Sequence, residues 1–293
     1  MQDLKQRNVL NQNNQQTTSS QQKNQLYSST YPHDHPLAKF RQCVSTDFLG
    51  GPKIFQLNHI INTFKGSTGI FLILLMCYYN NFSLSAYLIF ILHGSYGFIW
   101  IAKDLLFPDK SWQVKQTIFS SLVACAILLS YWSIGWFIIS RRAITNPSLE
   151  RIAVSCFCYI FGVTLMVVSD VQKFITLKYK QGLITDGLFS RCRNPNYLGE
   201  IILYGGFAIV GGAWENYALL LFIWTTLFNL NIYLKELSFS KKEGWEQYKN
   251  KSYLLLFKFF DEDIHNYLFY GGLAAFITIN YSYGGLINVL KQQ

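Results

Sequence analysis

Long apolar runs separated by short polar gaps fill the chain from about residue 57 onward. A helix needs roughly 20 apolar residues to cross a hydrocarbon core of about 30 Å. The runs at about 60–79, 82–102, 116–139, 152–169, 198–212, 217–234 and 267–290 are read as spans on that basis. The fifth run is short and carries Gly199, Gly205, Gly206, Gly211 and Gly212, a helical spacing that lets backbones approach closely in a membrane bundle. Only Asn80 and Asn81 separate the first two runs, which are therefore expected to form a tight antiparallel pair. The pattern predicts an all-α, multi-pass transmembrane helical bundle of about seven spans.

The ends differ from this middle. The first 25 residues hold eight Gln and five Asn and almost nothing apolar, so the polar tail over residues 1–50 has too little to bury to fold alone. It lacks the apolar centre of a signal peptide; Lys5, Arg7 and Lys23 give it a faint likeness to a mitochondrial presequence.

Composition agrees with a lipid-facing surface. Hydrophobic residues make up 51% of the 293 and charged ones 14%, against about 25% charge in ordinary soluble domains. The net charge of +9 sits in the gaps between apolar runs, the pattern of interfacial anchors rather than of a nucleic-acid face. Loops 103–115, 170–197 and 235–266 carry fourteen Lys and Arg, whereas the opposite side carries four: Arg141, Arg142, Arg151 and Lys291. The three richer loops are therefore expected on the cytosolic or matrix side. The six cysteines form no CxxC and no metal spacing, and are read as small hydrophobes in a reducing setting.

The stretch GLFSRCRNPNYLGE, Gly187 to Glu200, is the chemical exception in this greasy chain. Asn194 before Pro195 signals a helix start, with Asn as N-cap and Pro at the first position. Unpaired N–H groups at such an end, with Arg191 and Arg193 just upstream, would make an anion site at the membrane surface; snorkelling arginines on lipid headgroups are the plainer reading. Glu200 falls inside the following run, where an acid is costly and usually functional. Asp170 and the lysines after it, and the segment YLKELSFSKKEGWEQYKNKS, emerge on the same side. A polyanion bearing flat rings would suit this face.

The pieces "SD.QK", "GL…LFSRCRNPNYLGE" and "KE…KK.GW.QYK", with HGSYGFIWIAKDLLFPD from His93 to Asp109, resemble the membrane-bound steroid 5-alpha-reductase-like family and, more narrowly, its DUF1295 branch. The resemblance covers about residues 55–257, and RNPNYLGE is its specific core. It implies a reductase-like transmembrane domain with an additional C-terminal transmembrane helix at 264–293. It further implies NADPH as cofactor, a lipophilic sterol-like or isoprenoid substrate, and hydride transfer assisted by an acid at a carbonyl. Carried over by motif, Asp170, Asn196 and Glu200 are expected cofactor contacts, joined by Arg193, Tyr197 and Tyr248; no catalytic residue and no metal site is assigned. The endoplasmic reticulum membrane is the expected location, with the mitochondrial inner membrane as the alternative.

Two rivals stand beside this reading. The same half-domain is shared with isoprenylcysteine carboxyl methyltransferases, which use S-adenosylmethionine, but their histidine before the proline is Asn194 here. The chain also departs from the reductases: KELSFSKK replaces a histidine-rich segment, no Ile-Pro closes KSYLLLFKFF, and a further span follows residue 264. Those departures suit a reductase-derived accessory subunit of a large membrane complex, with protein partners at the N-terminal tail and C-terminal helix. Among weaker signals, His93 is read as hydrogen-bonded to a neighbouring helix, and Lys103 and Asp104 as interfacial. His33 and His35 are read as a solvated loop, and Gly271-Gly272 with Gly284-Gly285 as one packing face.

Overall fold

The computed structural model describes residues 35–282; the expectations for residues 1–34 and 283–293, including His33 and the Gly284-Gly285 pair, lie outside the described residues. The described chain is helical apart from one two-residue ribbon, in which β1 (Phe55–Gln56) pairs antiparallel with β2 (Lys115–Gln116). The helices in chain order are α1 (Pro36–Gln42), α2 (Leu57–Gly66), α3 (Thr68–Tyr78), α4 (Leu84–Leu106), α5 (Ile118–Arg141) and α6 (Leu149–Tyr179). They continue with α7 (Pro195–Gly211), α8 (Trp214–Ile223), α9 (Asn229–Phe239), α10 (Trp245–Lys251) and α11 (Asp263–Ser282).

The expected count of seven spans is corrected here. Among the described residues four segments are long and apolar enough to cross a membrane: α4, α5, α6 and the continuous Trp214–Phe239. The α2–α3 pair makes a fifth if its bent halves count as one span. The glycine-rich α7 has 17 residues, about 25 Å of helix, short of a full crossing. Part of the run at 267–290 lies outside the described residues.

Two glycine crossings fix the geometry. A Cβ on Gly162 of α6 would sit 2.6 Å from the Gly199 carbonyl oxygen and the Leu203 nitrogen, and one on Gly199 would sit 2.6 Å from the Gly162 oxygen and the Met166 nitrogen. The backbones of α6 and α7 therefore touch, as the sequence spacing predicts. This places Asp170 two turns beyond one glycine and Glu200 directly after the other. The second crossing seats α2 on α4, where a Cβ on Gly97 would meet the Lys65 carbonyl at 2.0 Å.

The α2–α3 span bends by 43° at Gly66-Ser67, the kind of Gly/Ser site where helices kink. Ser67 Oγ donates to the Thr63 carbonyl at 2.5 Å, and the Phe64 carbonyl accepts from Thr68 Oγ1 at 2.9 Å and Trp132 Nε1 at 3.0 Å. The bend places Lys65 beside the central helix α4. The buried residues of α4 (Ala86, Ile89, His93, Tyr96, Trp100, Lys103 and Asp104 among them) recur every three or four positions. Its inner face is thus apolar at the start and polar at the end.

The two ends of the bundle are stitched separately. At one end Asn80 adopts the left-handed conformation in the α3–α4 turn, and Asn81 Nδ2 donates to the Ile139 carbonyl at 2.7 Å. Arg142 donates to the Tyr79 and Asn80 carbonyls, Arg141 pairs with Glu215 at 3.0 Å, and Arg151 donates to the Ile209 carbonyl at 2.8 Å. The three lysine- and arginine-rich loops meet one another at the opposite end. There residues 36–48 of the polar N-terminal segment also pack on the bundle: Arg41 Nε donates to Asn231 Oδ1 at 2.6 Å, and Phe48 N to Ser120 Oγ at 2.9 Å.

Substituting Gly199→Val should lower stability by about 1–3 kcal/mol through overpacking against α6, while Gly205→Ala, whose Cβ meets nothing within 4 Å, should be neutral or slightly stabilising. Thermal melting of both variants in mild detergent checks the contrast; equal melting temperatures would refute the backbone crossing.

Candidate functional site

A buried polar cluster lies between α2, α4, α6 and α7 at the basic end. Lys103 Nζ pairs with Asp170 Oδ2 at 2.7 Å, with side chains only 4% and 12% exposed. Asp104 is buried and accepts from Asn62 Nδ2 at 2.7 Å, and Asn62 Oδ1 accepts from Trp100 Nε1 at 3.1 Å. Neither Lys103 nor Asp104 reaches out to the interface as the sequence suggests, because α6 and α2 bring partners to them inside the bundle.

One turn deeper, Lys65 Nζ lies 3.3 Å from the centre of the Trp100 ring and donates to the Tyr96 hydroxyl at 3.2 Å. The Tyr204 hydroxyl donates to the same oxygen at 3.4 Å, and the Tyr96 hydroxyl is left facing the Met166 sulfur at 3.5 Å. Tyr96 thus accepts from two donors while its own proton meets only a thioether, a weak acceptor. Glu200 is the carboxylate within electrostatic reach of Lys65 and Lys103, and also of Asp170. Two ammonium groups and two carboxylates share this interior, so the four formal charges cancel.

Nearer the surface Lys173 Nζ meets Asp109 Oδ2 at 2.6 Å, and Asp109 also accepts from Ser111 N at 2.9 Å. Burial opposes the Asp109 charge, but the Lys173 ammonium and the Ser111 donors outweigh it and hold the carboxyl well below the usual carboxylate range. The ammonium of Lys235 lies 5.6 Å from the centres of the Tyr197 and Phe239 rings and makes no ion pair within 4.0 Å among the described residues. Asp170, Asp109, Lys173 and Glu236 are its charged neighbours.

The RCRN stretch has a different use from the one its sequence suggests. Arg193 Nε donates to both oxygens of Glu236 at 3.1 and 2.9 Å, and its Nη1 donates to the Ser252 carbonyl at 2.5 Å. Arg191 pairs with Asp261 at 2.6 Å. Asn194 makes no capping bond; its Nδ2 donates to the Leu254 carbonyl at 2.9 Å. Cys192 Sγ donates to the Leu255 carbonyl at 3.3 Å, and burial pushes its thiol up to about 11, which leaves it protonated and inert. Tyr248 is buried and donates to the Phe189 carbonyl at 2.9 Å. These bonds clamp the loop before α7 to the segment through and beyond α10.

Of the six residues singled out from the sequence, Asp170 and Glu200 lie in the charge cluster, and Arg193 and Tyr248 lie in the clamp. Asn196 and Tyr197 open α7 between the two. The Asn196 side-chain oxygen is buried with no hydrogen-bond partner among the described residues, and the Tyr197 ring stands edge-on to Phe228 at 5.1 Å. Sequence reasoning missed Lys65, Tyr96, Tyr204 and Lys235. Lys65 had a signal: it is an ionisable residue inside an apolar run, next to a glycine.

The chain matches the family model described as "Protein of unknown function (DUF1295)" over residues 108–253, just under half its length. No curated protein and no solved structure matches it. The matched region holds Asp109, Asp170, Glu200 and the clamp, whereas Lys65, Tyr96, Trp100 and Lys103 precede it.

Two outcomes test this electrostatic arrangement. Removing one partner of a buried pair costs about 3–5 kcal/mol, so Lys103→Met and Asp170→Leu should each be strongly destabilising and the double variant should recover much of the loss. A thermal double-mutant cycle measures it, and additive losses would refute the pairing. For Asp109, the depressed folded pKa adds stability that is fully present above the unfolded carboxylate value of about 4 and is lost as pH falls below it. The stability gap between the parent protein and Asp109→Asn should therefore hold from pH 7 to 5 and close on further acidification. A denaturation series across that range reads it directly.

Proposed function

We propose that this multi-pass membrane protein is a reductase that uses NADPH to reduce a lipophilic, sterol-like or isoprenoid substrate. The observation that carries the proposal is the state of Tyr96, a phenol that receives two hydrogen bonds and holds its own proton against a thioether. A carbonyl oxygen is a much better acceptor than that sulfur. Donation from Lys65 and Tyr204 would stabilise the phenolate left behind, and Glu200 would balance the Lys65 charge. In the low-dielectric interior such preorganised donors act most strongly on charge that develops during reaction.

Asn196 and Lys235 support a dinucleotide. The buried Asn196 oxygen lacks a donor, which a carboxamide or a ribose hydroxyl would supply. Lys235, which makes no ion pair within 4.0 Å among the described residues, lies beside an aromatic ring and is suited to a phosphate. Arg193 and Tyr248 are already bonded within the fold and would shape the site rather than touch the cofactor. NADPH when bound would supply the hydride, and this chain's Tyr96 would supply the proton. Under this reading the basic end faces the cytosol at the endoplasmic reticulum, or the matrix at the mitochondrial inner membrane.

One observation favours a second reading, an accessory subunit. Helix α11 is bonded near its start to the segment that leads into it, through Asn266 to the Phe260 and Glu262 carbonyls and Tyr270 to the Phe257 carbonyl. Beyond that it exposes Leu268, Leu273, Ile277 and Ile279, a surface for lipid or for a second chain.

Titration calorimetry on the purified protein should show binding of NADPH and none of S-adenosylmethionine. Asn196→Ala should weaken NADPH about tenfold to a hundredfold, the loss of a hydrogen bond to a buried polar atom. Tyr96→Phe should bind NADPH as the parent does, since its role lies with the substrate. Failure to bind NADPH would refute the reading, and a full-length protein that co-purifies with partners only through α11 would favour the subunit.

A further inference from the structure

Beyond the charge cluster, towards the apolar end of the bundle, a second polar locus plays no part in the proposed reduction. His93 lies one turn before Tyr96 on α4 and is fully buried, and among the described residues neither ring nitrogen makes a hydrogen bond. The sequence expectation of a bond to a neighbouring helix is thereby corrected: the neighbours offer rings rather than acceptors. The Tyr131 ring of α5 stands edge-on to it at 4.3 Å, and the Phe207 ring of α7 lies at 4.8 Å. The Tyr131 hydroxyl is also buried and, among the described residues, has no hydrogen-bond partner within 3.5 Å, with the Thr68 hydroxyl as a polar neighbour. Gly135 adjoins this locus, where a Cβ would come within 3.6 Å of His93 Nδ1 and 2.2 Å of Leu72 Cδ2.

Two buried polar side chains from different helices thus lie side by side, the imidazole with no hydrogen bond among the described residues and the phenol with only Thr68 near it, among the apolar residues Leu72, Phe207 and Ile134. Native interiors rarely leave such groups unanswered. A neutral imidazole offers one donor and one acceptor, and a phenol offers both. A hydroxyl answers this pair, donating to the bare imidazole nitrogen while accepting from the Tyr131 O–H. The wall residues are apolar and carry no charge of their own, which favours a neutral ligand with a hydrocarbon body, and Lys65 acts on His93 only from the neighbouring cluster.

We propose that His93 and Tyr131 form a subsite for the hydroxyl of a neutral lipid alcohol bound within the helix bundle. The subsite does not require the nicotinamide reading, since its residues contact neither Asn196 nor the clamp. The test uses the full-length protein in mild detergent with two photoreactive probes, a diazirine- and alkyne-bearing sterol and a twenty-carbon isoprenoid alcohol so equipped. At least one should label peptides from α4, α5 or α7, with competition by excess unlabelled alcohol and none by the parent hydrocarbon. His93→Phe should lower labelling about fivefold or more, the loss of one hydrogen bond, and His93→Gln, which retains a donor and an acceptor, should keep most of it. If His93→Phe does not fold, Tyr131→Phe carries the same expectation. A locus that holds only water would show no labelling, or equal competition by alcohol and hydrocarbon, and either result overturns the proposal. Unchanged labelling in the folded His93→Phe variant overturns it too.

Discussion

Four formal charges buried between helices set the terms for the rest of this structure. Lys65, Lys103, Asp170 and Glu200 come from four different helices, and each would be costly alone in a low-dielectric interior. They are tolerable only together, so α2, α4, α6 and α7 must converge at one level. The glycine crossings allow this. Gly162 against Gly199 brings the carboxylates together, and Gly97 against the Lys65 carbonyl brings a cation to α4. Trp100 completes the arrangement, with Lys65 over its ring and Lys103 4.8 Å from the ring centre, which lets two like charges share a neighbourhood.

The clamp solves a separate problem. A short α7 that begins at a proline needs an anchor at its polar end, and a loop with many backbone groups needs partners for them. Residues 191–194 supply both. The Arg193 N–H donates to the Tyr253 carbonyl at 2.9 Å, and the Arg191 carbonyl accepts from Tyr253 N at 3.2 Å and Lys258 N at 3.0 Å. Adding the Arg193–Glu236 pair ties the loop to the end of α9 as well. The most conspicuous basic residues of the sequence are therefore architectural, and the cations with fewer partners are lysines that attract less notice.

Much of the bundle was legible because hydrophobic length and glycine spacing are local properties. The runs drawn from the sequence all coincide with helices among the described residues, and the Gly162-facing role of Gly199 follows from small residues at helical spacing. What was not legible is tertiary. Counting lysines and arginines only in loops passed over Lys65, although a charge beside Gly66-Ser67 inside an apolar run is a local sign of a broken span. A kink there turns a lysine from a stray interfacial charge into the donor to Tyr96. Asp170 and Glu200 were picked out from the sequence, but their partners Lys103 and Lys65 lie 67 and 135 residues away, and no spacing rule connects them. Asn194 shows the reverse error: a residue with strong capping preference caps nothing, because a distant carbonyl claims its amide.

The two ends of the bundle are not equivalent, and this asymmetry constrains any chemistry inside. At the Arg141 end, side chains close on backbone carbonyls through Asn81, Arg142, Arg151 and Asn216, and no charged side chain is buried between them and the His93 locus among the described residues. At the other end a line of polar groups descends from Asp109 and Lys173 through Lys103 and Asp170 to Lys65, Tyr96 and Tyr204. A proton or a charged molecule therefore has polar groups to follow from one side only. An apolar molecule has no need of that route, since it can enter between lipid-facing helices and meet the same interior from the bilayer. Under the proposed reading the phenol of Tyr96 stands where these two approaches converge, one turn from the His93 locus and in direct contact with Lys65. A polar reactant and a greasy one could meet there without either crossing the other's solvent, and that is the physical reason for placing the chemistry at this depth rather than at the surface clamp.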